Sequence, residues 1–426
     1  MTEKGPLATE SGEQRVWRAL GFLARLAVAM LESGYATDSV LRTTRICAAA
    51  MGFANVTVVG TGRTLTVQYV RDDEYPLSRT EVAATLDSFD CDRMKRLKNL
   101  AHEVASESCD TAAATERLRR ADRGPGPWPW WVTGFGGALL ALCIALQVGG
   151  TALAALGAAV VLLPVWALGR GLGVAGVPRL YAVAVQTTVA GALGGLAHLV
   201  GAVTVTDTAV LIATVWVLLV PMPQLISTAT DAVSADTVTA TARAASALLT
   251  VAGIVLGGAL VVTVSQRISF GPSIDPRLLP LPIWLALGFS VLGAIGNAVF
   301  NGGGPDLLLP AAGAGLLAAA TNQFLIHTAH LSPDWTGSIA AVVLGFAAAA
   351  VSERLRVPMS ALILVGLTGA LLPGLVLYQG LVVELFHTSG IGYFVRAFTI
   401  CVGLGVGAAL GVLLFYLTQS SRRRER

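Results

Sequence analysis

The chain has 426 residues, of which 54% are hydrophobic, only 13% are charged and 47 are glycines. Its mean hydropathy of +0.69 lies outside the range of an ordinary soluble domain and is typical of a polytopic membrane protein. Charged residues are concentrated in the first 123 positions and the last five, so the net charge of +3 does not indicate a nucleic-acid-binding surface.

The five cysteines are odd in number and lack CxxC spacing, so the sequence predicts neither a disulfide framework nor a metal site. No glycine loop of the Walker type is present, which argues against an ATP-driven pump, and no cofactor is expected. No short apolar segment ending in a small-residue cleavage site follows Met1, so we expect the membrane spans themselves to direct insertion.

The front of the chain is predicted to contain a disordered tail over residues 1–13 and a small cytoplasmic α+β domain over residues 14–123. Apolar residues at spacings of three and four from Trp17 to Leu31 indicate a helix that ends before Gly34. A second helix is predicted to begin at Thr37.

Two short β-branched segments, residues 56–59 and 65–70, are joined by a glycine-containing turn and predict a hairpin. Ser78 followed by Glu81 has the pattern of a capping box, which predicts another helix at this point. The last helix of the front domain is expected to bury Met94, Leu97, Ala101 and Val104.

Five residues of the front domain belong to types that can act as nucleophile, base or acid, namely Asp38, Cys47, His102, Glu103 and Glu107. Their positions fit no known catalytic spacing. We therefore expect Cys47 to pack in an apolar helix, and His102 and Glu103 to be solvated helix positions.

Residues 124–131 form a proline-rich linker whose three tryptophans are typical of the membrane interface. Beyond this linker the sequence predicts a mainly α, polytopic membrane part with about ten spans in two sets of five, over residues 124–265 and 266–418, followed by a basic cytoplasmic tail over residues 419–426. The spans are placed near residues 130–148, 151–169, 179–200, 207–226, 238–264, 281–300, 306–328, 335–352, 357–378 and 394–418.

Arginines in the short loops set the expected orientation, because positively charged loops stay on the cytoplasmic side. Most of them fall on one side of the membrane, which places both termini in the cytoplasm, whereas Arg267 and Arg277 fall on the other side. The cytoplasmic set comprises Arg117, Arg119, Arg120, Arg123, Arg170, Arg179, Arg354, Arg356, Arg422, Arg423, Arg424 and Arg426.

Four landmarks of the membrane part recur after a nearly constant shift of 152 to 154 residues, which indicates an internal duplication. With five spans in each copy, the second copy inserts upside down relative to the first, giving the inverted repeat that builds alternating-access transporters. Glycines at every fourth position are expected to let helices pack closely. The pairs are Pro221 with Pro373, Arg243 with Arg396, Gly253 with Gly407, and Gly257 with Gly411.

A polar, proline-broken run from Leu219 to Arg243 lies between two long apolar segments, and ionisable groups at membrane depth are costly unless they serve a function. Broken helices offer N–H and carbonyl groups to the charged ends of an amino acid. Asp231 is predicted to couple a proton, and Arg243 to hold a carboxylate or pair with an acid; solvated loop positions are the alternative. The predicted substrate and proton pathway comprises Pro221, Gln224, Asp231, Asp236, Arg243, Pro373, Gly374, Tyr378, Glu384 and Arg396.

Other polar residues inside the spans could line a path or form hydrogen bonds between helices, and the second role is the more common one. These weaker candidates are Gln186, Thr187, Thr188, Asn297, Asn301, Asn322, Gln323 and His327.

The chain resembles the threonine/serine exporter family, whose members join a soluble N-terminal region to ten membrane helices. The resemblance rests on Leu31-Glu32-Ser33-Gly34 with Thr37-Asp38, on Pro221 with Asp231, Asp236 and Arg243, and on Leu372-Pro373-Gly374 with Tyr378 and Gly380. The chain departs from the family pattern at Met222 and Ala235, where the family tends to have glycine.

The resemblance implies export of L-threonine and L-serine across the cytoplasmic membrane, driven by the proton motive force. The expected partners are an amino-acid substrate, protons and the lipid bilayer, without nucleic acid, and assembly into a homo-oligomer is left open. Two other functions remain as alternatives: a membrane-anchored sensor or hydrolase acting through the front domain, and a passive channel. The lack of a catalytic spacing argues against the enzyme.

Overall fold

The structure is a computed structural model that describes residues 12–70, 75–106, 110–234, 236–268, 278–279, 281–386 and 389–424, apart from the side chains of residues 12, 268, 334, 386 and 420–424. Most of the predicted tail over residues 1–13, and Glu107, Arg277 and Arg426, lie outside the described residues. The chain divides into two compact units, Met1–Ser88 with Arg93–Pro125, and Phe89–Asp92 with Gly126–Arg426.

The front part of the chain combines helices with a small antiparallel sheet, as its sequence predicts. Its described elements are α1 (Gly12–Ser33), α2 (Thr37–Ala50), β1 (Val56–Thr61), β2 (Thr64–Tyr69), β3 (Leu77–Val82), α3 (Cys91–Ser106) and α4 (Thr111–Arg123). The sheet has the order β1-β2-β3 within the described residues. Val58 pairs with Val67 across the predicted hairpin, and both side chains are buried. Gly62 takes a positive φ of 60° in the turn, which suits glycine.

The helices α1, α2 and α3 bury apolar faces at helical spacing, and this confirms the first two predicted helices and the buried face of the third. Glu32, from the Leu-Glu-Ser-Gly motif, accepts the backbone N–H of Ala84 at 2.7 Å. Its other carboxylate oxygen pairs with Arg93 at 3.0 Å, and Arg93 also pairs with Asp122. This motif therefore connects α1 with α3, α4 and the segment after β3.

The capping-box prediction at Ser78 and Glu81 is wrong, because these residues lie in strand β3. Six residues of β3 pair with β2, and Thr66 and Thr80 share a hydrogen bond of 2.9 Å between their hydroxyl groups. A capping box contributes two local hydrogen bonds at a helix end, whereas strand pairing engages the whole segment and the cross-strand side chains. The longer-range pairing determines the structure of this segment.

The membrane part is almost entirely helical. Its described helices are α5 (Trp130–Val148), α6 (Ala152–Val174), α7 (Arg179–Leu199), α8 (Val205–Leu219), α9 (Met222–Val233), α10 (Thr237–Ile268), α11 (Ile283–Phe300), α12 (Pro305–His327), α13 (Pro333–Val351), α14 (Met359–Ala370), α15 (Gly374–Phe386) and α16 (Ile391–Arg424). Within the described residues, seven helices are long and apolar enough to cross a membrane, or up to nine if each bent pair counts as one span. The shorter apolar helix Trp335–Val351 lies at another of the predicted spans.

Two of the predicted spans, 207–226 and 357–378, are each two helices that meet at a bend. The bend is 42° between α8 and α9 and 48° between α14 and α15. Pro221 and Pro373 occupy the two breaks; proline has no N–H to continue a helix and disfavours helical geometry in the residue before it. Val220 accordingly adopts an extended conformation, with ψ 132°.

Both halves of the membrane part show the same order of elements in the described residues: three helices, a bent pair and one long helix. In the first half α10 packs along α7, and in the second half α16 packs along α13. A Cβ added at Gly257 would collide with the carbonyl oxygen of Ala184, and one added at Gly411 would collide with that of Val342. The glycine stripes therefore serve close helix packing, as predicted.

The second helix of each bent pair packs into the core of the opposite half. Met222, Leu225 and Ile226 of α9 belong to an apolar cluster with residues of α12, α13, α14 and α16. Tyr378 and Leu381 of α15 belong to a second cluster with residues of α5, α6 and α8. The breaks therefore allow the two halves to exchange half-helices.

Candidate functional site

Asp231 and Arg243 form an ion pair in the interior of the membrane unit. Arg243 Nη1 lies 3.0 Å from Asp231 Oδ2, and the side chains are 1% and 0% exposed. Asp231 follows Gln224 and Ser227 on α9 at spacings that place all three on one face, and all three are buried. A charge at this depth needs its partner, because an isolated buried ion carries a large desolvation cost. Neither residue is a solvated loop position.

The turn between α9 and α10 brings the two charges together. The backbone N–H of Asp236 donates to the carbonyl of Asp231 at 3.0 Å, and Asp236 Oδ1 accepts the backbone N–H of Thr239 at 3.1 Å. Asp236 therefore caps the start of α10, two turns before Arg243. This geometry gives Asp236 a positioning role beside the pair.

A cavity of about 460 Å³ lies between the two halves, bounded by α8 and α10 on one side and α15 and α16 on the other. Its wall is mostly apolar and contains the predicted site residues Pro373 and Glu384. Polar groups gather where α10 and α15 approach their C-terminal ends. The lining residues are Trp216, Val220, Val251, Ile254, Val255, Gly258, Ala259, Val262, Thr263, Gln266, Pro373, Leu377, Glu384, Ser389, Ile391, Phe394, Ala397, Phe398 and Cys401.

Glu384 holds the polar end of this cavity in place. Its carboxylate accepts the backbone N–H of Gly390, and its carbonyl accepts Gln266 Nε2 at 3.3 Å. The second bond joins α15 of one half to α10 of the other. This end lies far along α10 from Arg243, so the buried ion pair and the polar end of the cavity are on opposite sides of the breaks.

A second, smaller cavity of about 60 Å³ lies where the two breaks meet. Val220 lines both cavities, and Leu372 lines the small one beside Pro373 of the large one. The small cavity receives polar groups from Asn297, Asn301 and Thr368. Both proline breaks therefore lie at one shared place between the halves.

The other predicted site residues have different surroundings. Tyr378 and Gly374 are buried in the packing of α15 and line neither cavity. Arg396, which matches Arg243 by spacing, is exposed on α16. The match in spacing between Arg243 and Arg396 therefore does not extend to their surroundings, since Arg243 is buried and Arg396 is exposed.

Among the weaker candidates on α7, Gln186 and Thr187 take part in hydrogen bonds between helices. Gln186 Nε2 donates to the carbonyl of Val165 at 3.0 Å, and the carbonyl of Thr187 accepts Trp216 Nε1 at 3.1 Å. Thr188 donates to the carbonyl of Ala184 within α7 at 2.9 Å. Asn322 and Gln323 are half-buried on α12, His327 is exposed, and none of these three lines either cavity.

Asp207 and Thr368 are two of the buried polar residues that sequence reasoning missed. Asp207 accepts the hydroxyls of Thr151 at 2.6 Å and Thr204 at 2.7 Å, so it is a satisfied cap at the start of α8. Thr368 lines the small cavity, and its hydroxyl has no hydrogen-bond partner in the described part of the chain. A threonine in an apolar helix gives no sequence signal, so only the packing could reveal it.

The front domain shows no catalytic arrangement among its described residues. Burial raises the pKa of the Cys47 thiol to about 12, so this thiol stays protonated and is a poor nucleophile at neutral pH. His102 and Glu103 are exposed on α3, as predicted. The described residues contain no group of three or more His, Cys, Asp or Glu side chains placed to hold a metal ion.

A family model of threonine/serine exporters, ThrE, matches residues 21–265, which is more than half of the chain. The chain belongs to the threonine/serine exporter family. A Mycobacterium tuberculosis protein named "Probable threonine/serine exporter" is 27% identical over 419 residues, covering 93% of this chain and 76% of that protein. No solved structure matches the chain. Membership in this exporter family, with its apolar helices, makes the chain a multi-pass membrane transport protein and not a member of an enzyme family.

Proposed function

We propose that this exporter moves small hydroxylated amino acids, L-threonine and L-serine, out of the cytoplasm by alternating access, in exchange for protons. Family membership supports the exporter role. The observation that carries the mechanism is the 460 Å³ cavity between the halves, whose wall includes residues at both proline breaks. A cavity at the junction of two repeats is where secondary transporters bind their substrates.

The proposed orientation places both termini in the cytoplasm and the two halves in opposite directions. Arginines in the short loops support this orientation, and the matching order of elements supports the repeat. The polar end of the large cavity, near Gln266 and Glu384, then faces the exterior. The ion pair of Asp231 and Arg243 lies on the cytoplasmic side and closes that side in this conformation.

Asp231 is the proposed proton-coupling group, and Arg243 is its partner. Protonation of Asp231 removes the charge that compensates Arg243, and an uncompensated buried cation is strongly unfavourable. The turn held by Asp236 must then rearrange so that Arg243 reaches water or a substrate carboxylate. A proton and a conformational change are coupled in this way, because the closed arrangement is stable only with the ionised aspartate.

The test uses the purified protein in vesicles loaded with labelled threonine, with and without a pH gradient. Asp231→Asn is expected to abolish the acceleration of efflux by the gradient. Asp236→Asn is the matched control, because asparagine retains the helix cap while removing the charge. Efflux by this control variant should still be accelerated by the pH gradient.

Three results would contradict the proposal in different ways. Coupled efflux by Asp231→Asn would exclude this residue as the proton site. If Asp236→Asn alone abolished the acceleration of efflux by the pH gradient, Asp236 and not Asp231 would be the residue that takes up the proton. Threonine flux by the wild type that never exceeds equilibration, whatever the gradient, would identify a passive channel.

A further inference from the structure

The small cavity between the breaks combines neutral polar groups with apolar walls. Among the described residues that line it, none carries a charge. Its volume of about 60 Å³ is well above the roughly 10–15 Å³ that a cavity needs to hold one water molecule. It can therefore take a small neutral group such as a hydroxyl, whereas it offers no charged partner to an ammonium or a carboxylate.

Thr368 presents a hydroxyl to this cavity without a hydrogen-bond partner in the described residues. Its side chain is only 7% exposed. Buried threonines in helices of this protein usually donate to the carbonyl four residues earlier, as Thr187 and Thr208 do at 2.8 Å. A buried hydroxyl that lacks this bond is costly unless another molecule completes it.

Asn297 on α11 and Asn301, the residue that follows this helix, supply the other polar groups. Asn297 Nδ2 donates to the carbonyl of Leu364 at 3.4 Å, and Asn301 Nδ2 donates to Asn297 Oδ1 at 2.8 Å. These bonds hold both amides in place. Asn301 Oδ1 keeps its acceptor capacity, since Asn301 uses only its Nδ2 in the side-chain hydrogen bonds it forms with other described residues.

We propose that this cavity is the subsite that selects the side-chain hydroxyl of the transported amino acid. A hydroxyl can donate one hydrogen bond and accept another, which matches Thr368 Oγ1 and Asn301 Oδ1. The methyl group of threonine would contact Phe300 and Leu364. The ammonium and carboxylate groups would remain outside, in the large cavity that shares Val220 with this one. This subsite rests on the proposed function and adds the chemical basis of its substrate choice.

The test compares threonine with valine, which has the same shape and a methyl group in place of the hydroxyl. Thr368→Val removes the cavity hydroxyl and should lower threonine transport in vesicles by about tenfold or more while changing valine transport less than twofold. Thr368→Ser should restore the preference. Asn301→Leu should lower the ratio of threonine transport to valine transport, as Thr368→Val does.

Thr214→Val is the matched control. Thr214 is also fully buried in the first helix of a bent pair, and its hydroxyl also lacks a partner among the described residues, but it does not line the cavity. Its replacement should leave the threonine-to-valine ratio unchanged. Each variant is first shown to elute as a folded protein in size-exclusion chromatography.

The subsite and the proposed function fail in different ways. Transport of threonine by the wild type, with an unchanged ratio in both Thr368→Val and Asn301→Leu, overturns the subsite alone. An equal loss of threonine and valine transport in these variants also overturns it, because that result indicates a general packing role. A wild type that moves no threonine overturns both proposals.

Discussion

At the scale of single residues, the buried pair of Asp231 and Arg243 sets a stability requirement that can be measured. Asp231→Ala leaves the guanidinium of Arg243 buried without its carboxylate and should cost about 3–5 kcal/mol of folding free energy. The double variant Asp231→Leu with Arg243→Met should recover most of that stability, because it removes both charges. Thermal unfolding of the purified protein checks both expectations. An Asp231→Ala protein as stable as the wild type would mean that water reaches the guanidinium group of Arg243.

The sequence identifies this pair only in part. Charged residues between apolar spans are rare enough to single out Asp231 and Arg243, although not to show that they contact each other. Equal spacing also suggested a role for Arg396, but the exposed position of this residue on α16 depends on how the neighbouring helices pack. Thr368 could not be found from the sequence, because the missing partner of its hydroxyl is a property of the folded environment.

At the scale of secondary-structure elements, the two glycine stripes fix how closely the long helices pack. Gly257→Ala and Gly411→Ala place a methyl group against the backbone of α7 and α13, where no side chain can move aside. Each should lower stability by about 1–3 kcal/mol. Gly288→Ala on α11 is the control, because nothing lies within 4 Å of its added Cβ. Unfolding temperatures measured in one detergent test this, and equal values for all three variants would contradict the packing role.

Most of the elements could be predicted from the sequence because membrane helices are defined by long apolar runs. Pro221 and Pro373 indicated the two breaks, because proline lacks the N–H that continues a helix. Proline alone does not locate a break, since Pro164 and Pro310 lie inside the continuous helices α6 and α12. The length of the helices beyond the breaks could not be predicted from the sequence. For example, α9 extends to Val233, although the predicted span ended at residue 226. The error at β3 has a similar origin, because strand pairing is a long-range interaction that a four-residue motif does not contain.

At the scale of the whole membrane unit, the exchange of half-helices connects the two halves at the large cavity. Because α9 packs into the second half and α15 into the first, the bends are part of the interface. A change at the ion pair between Asp231 on α9 and Arg243 on α10 is therefore expected to alter the packing of the core of the second half. The sequence could suggest a duplication, but it could not show which core each half-helix joins, because this depends on the direction of the bend.

The central claim is that the substrate passes through the large cavity between the halves, and one pair of variants tests it directly. Ala259 lines the cavity, whereas its neighbour Leu260 does not and is exposed on the outer face of α10. Threonine efflux from vesicles should be lost in Ala259→Trp, because the indole fills the cavity, and retained in Leu260→Trp. Efflux at the wild-type rate in Ala259→Trp would show that the route lies elsewhere.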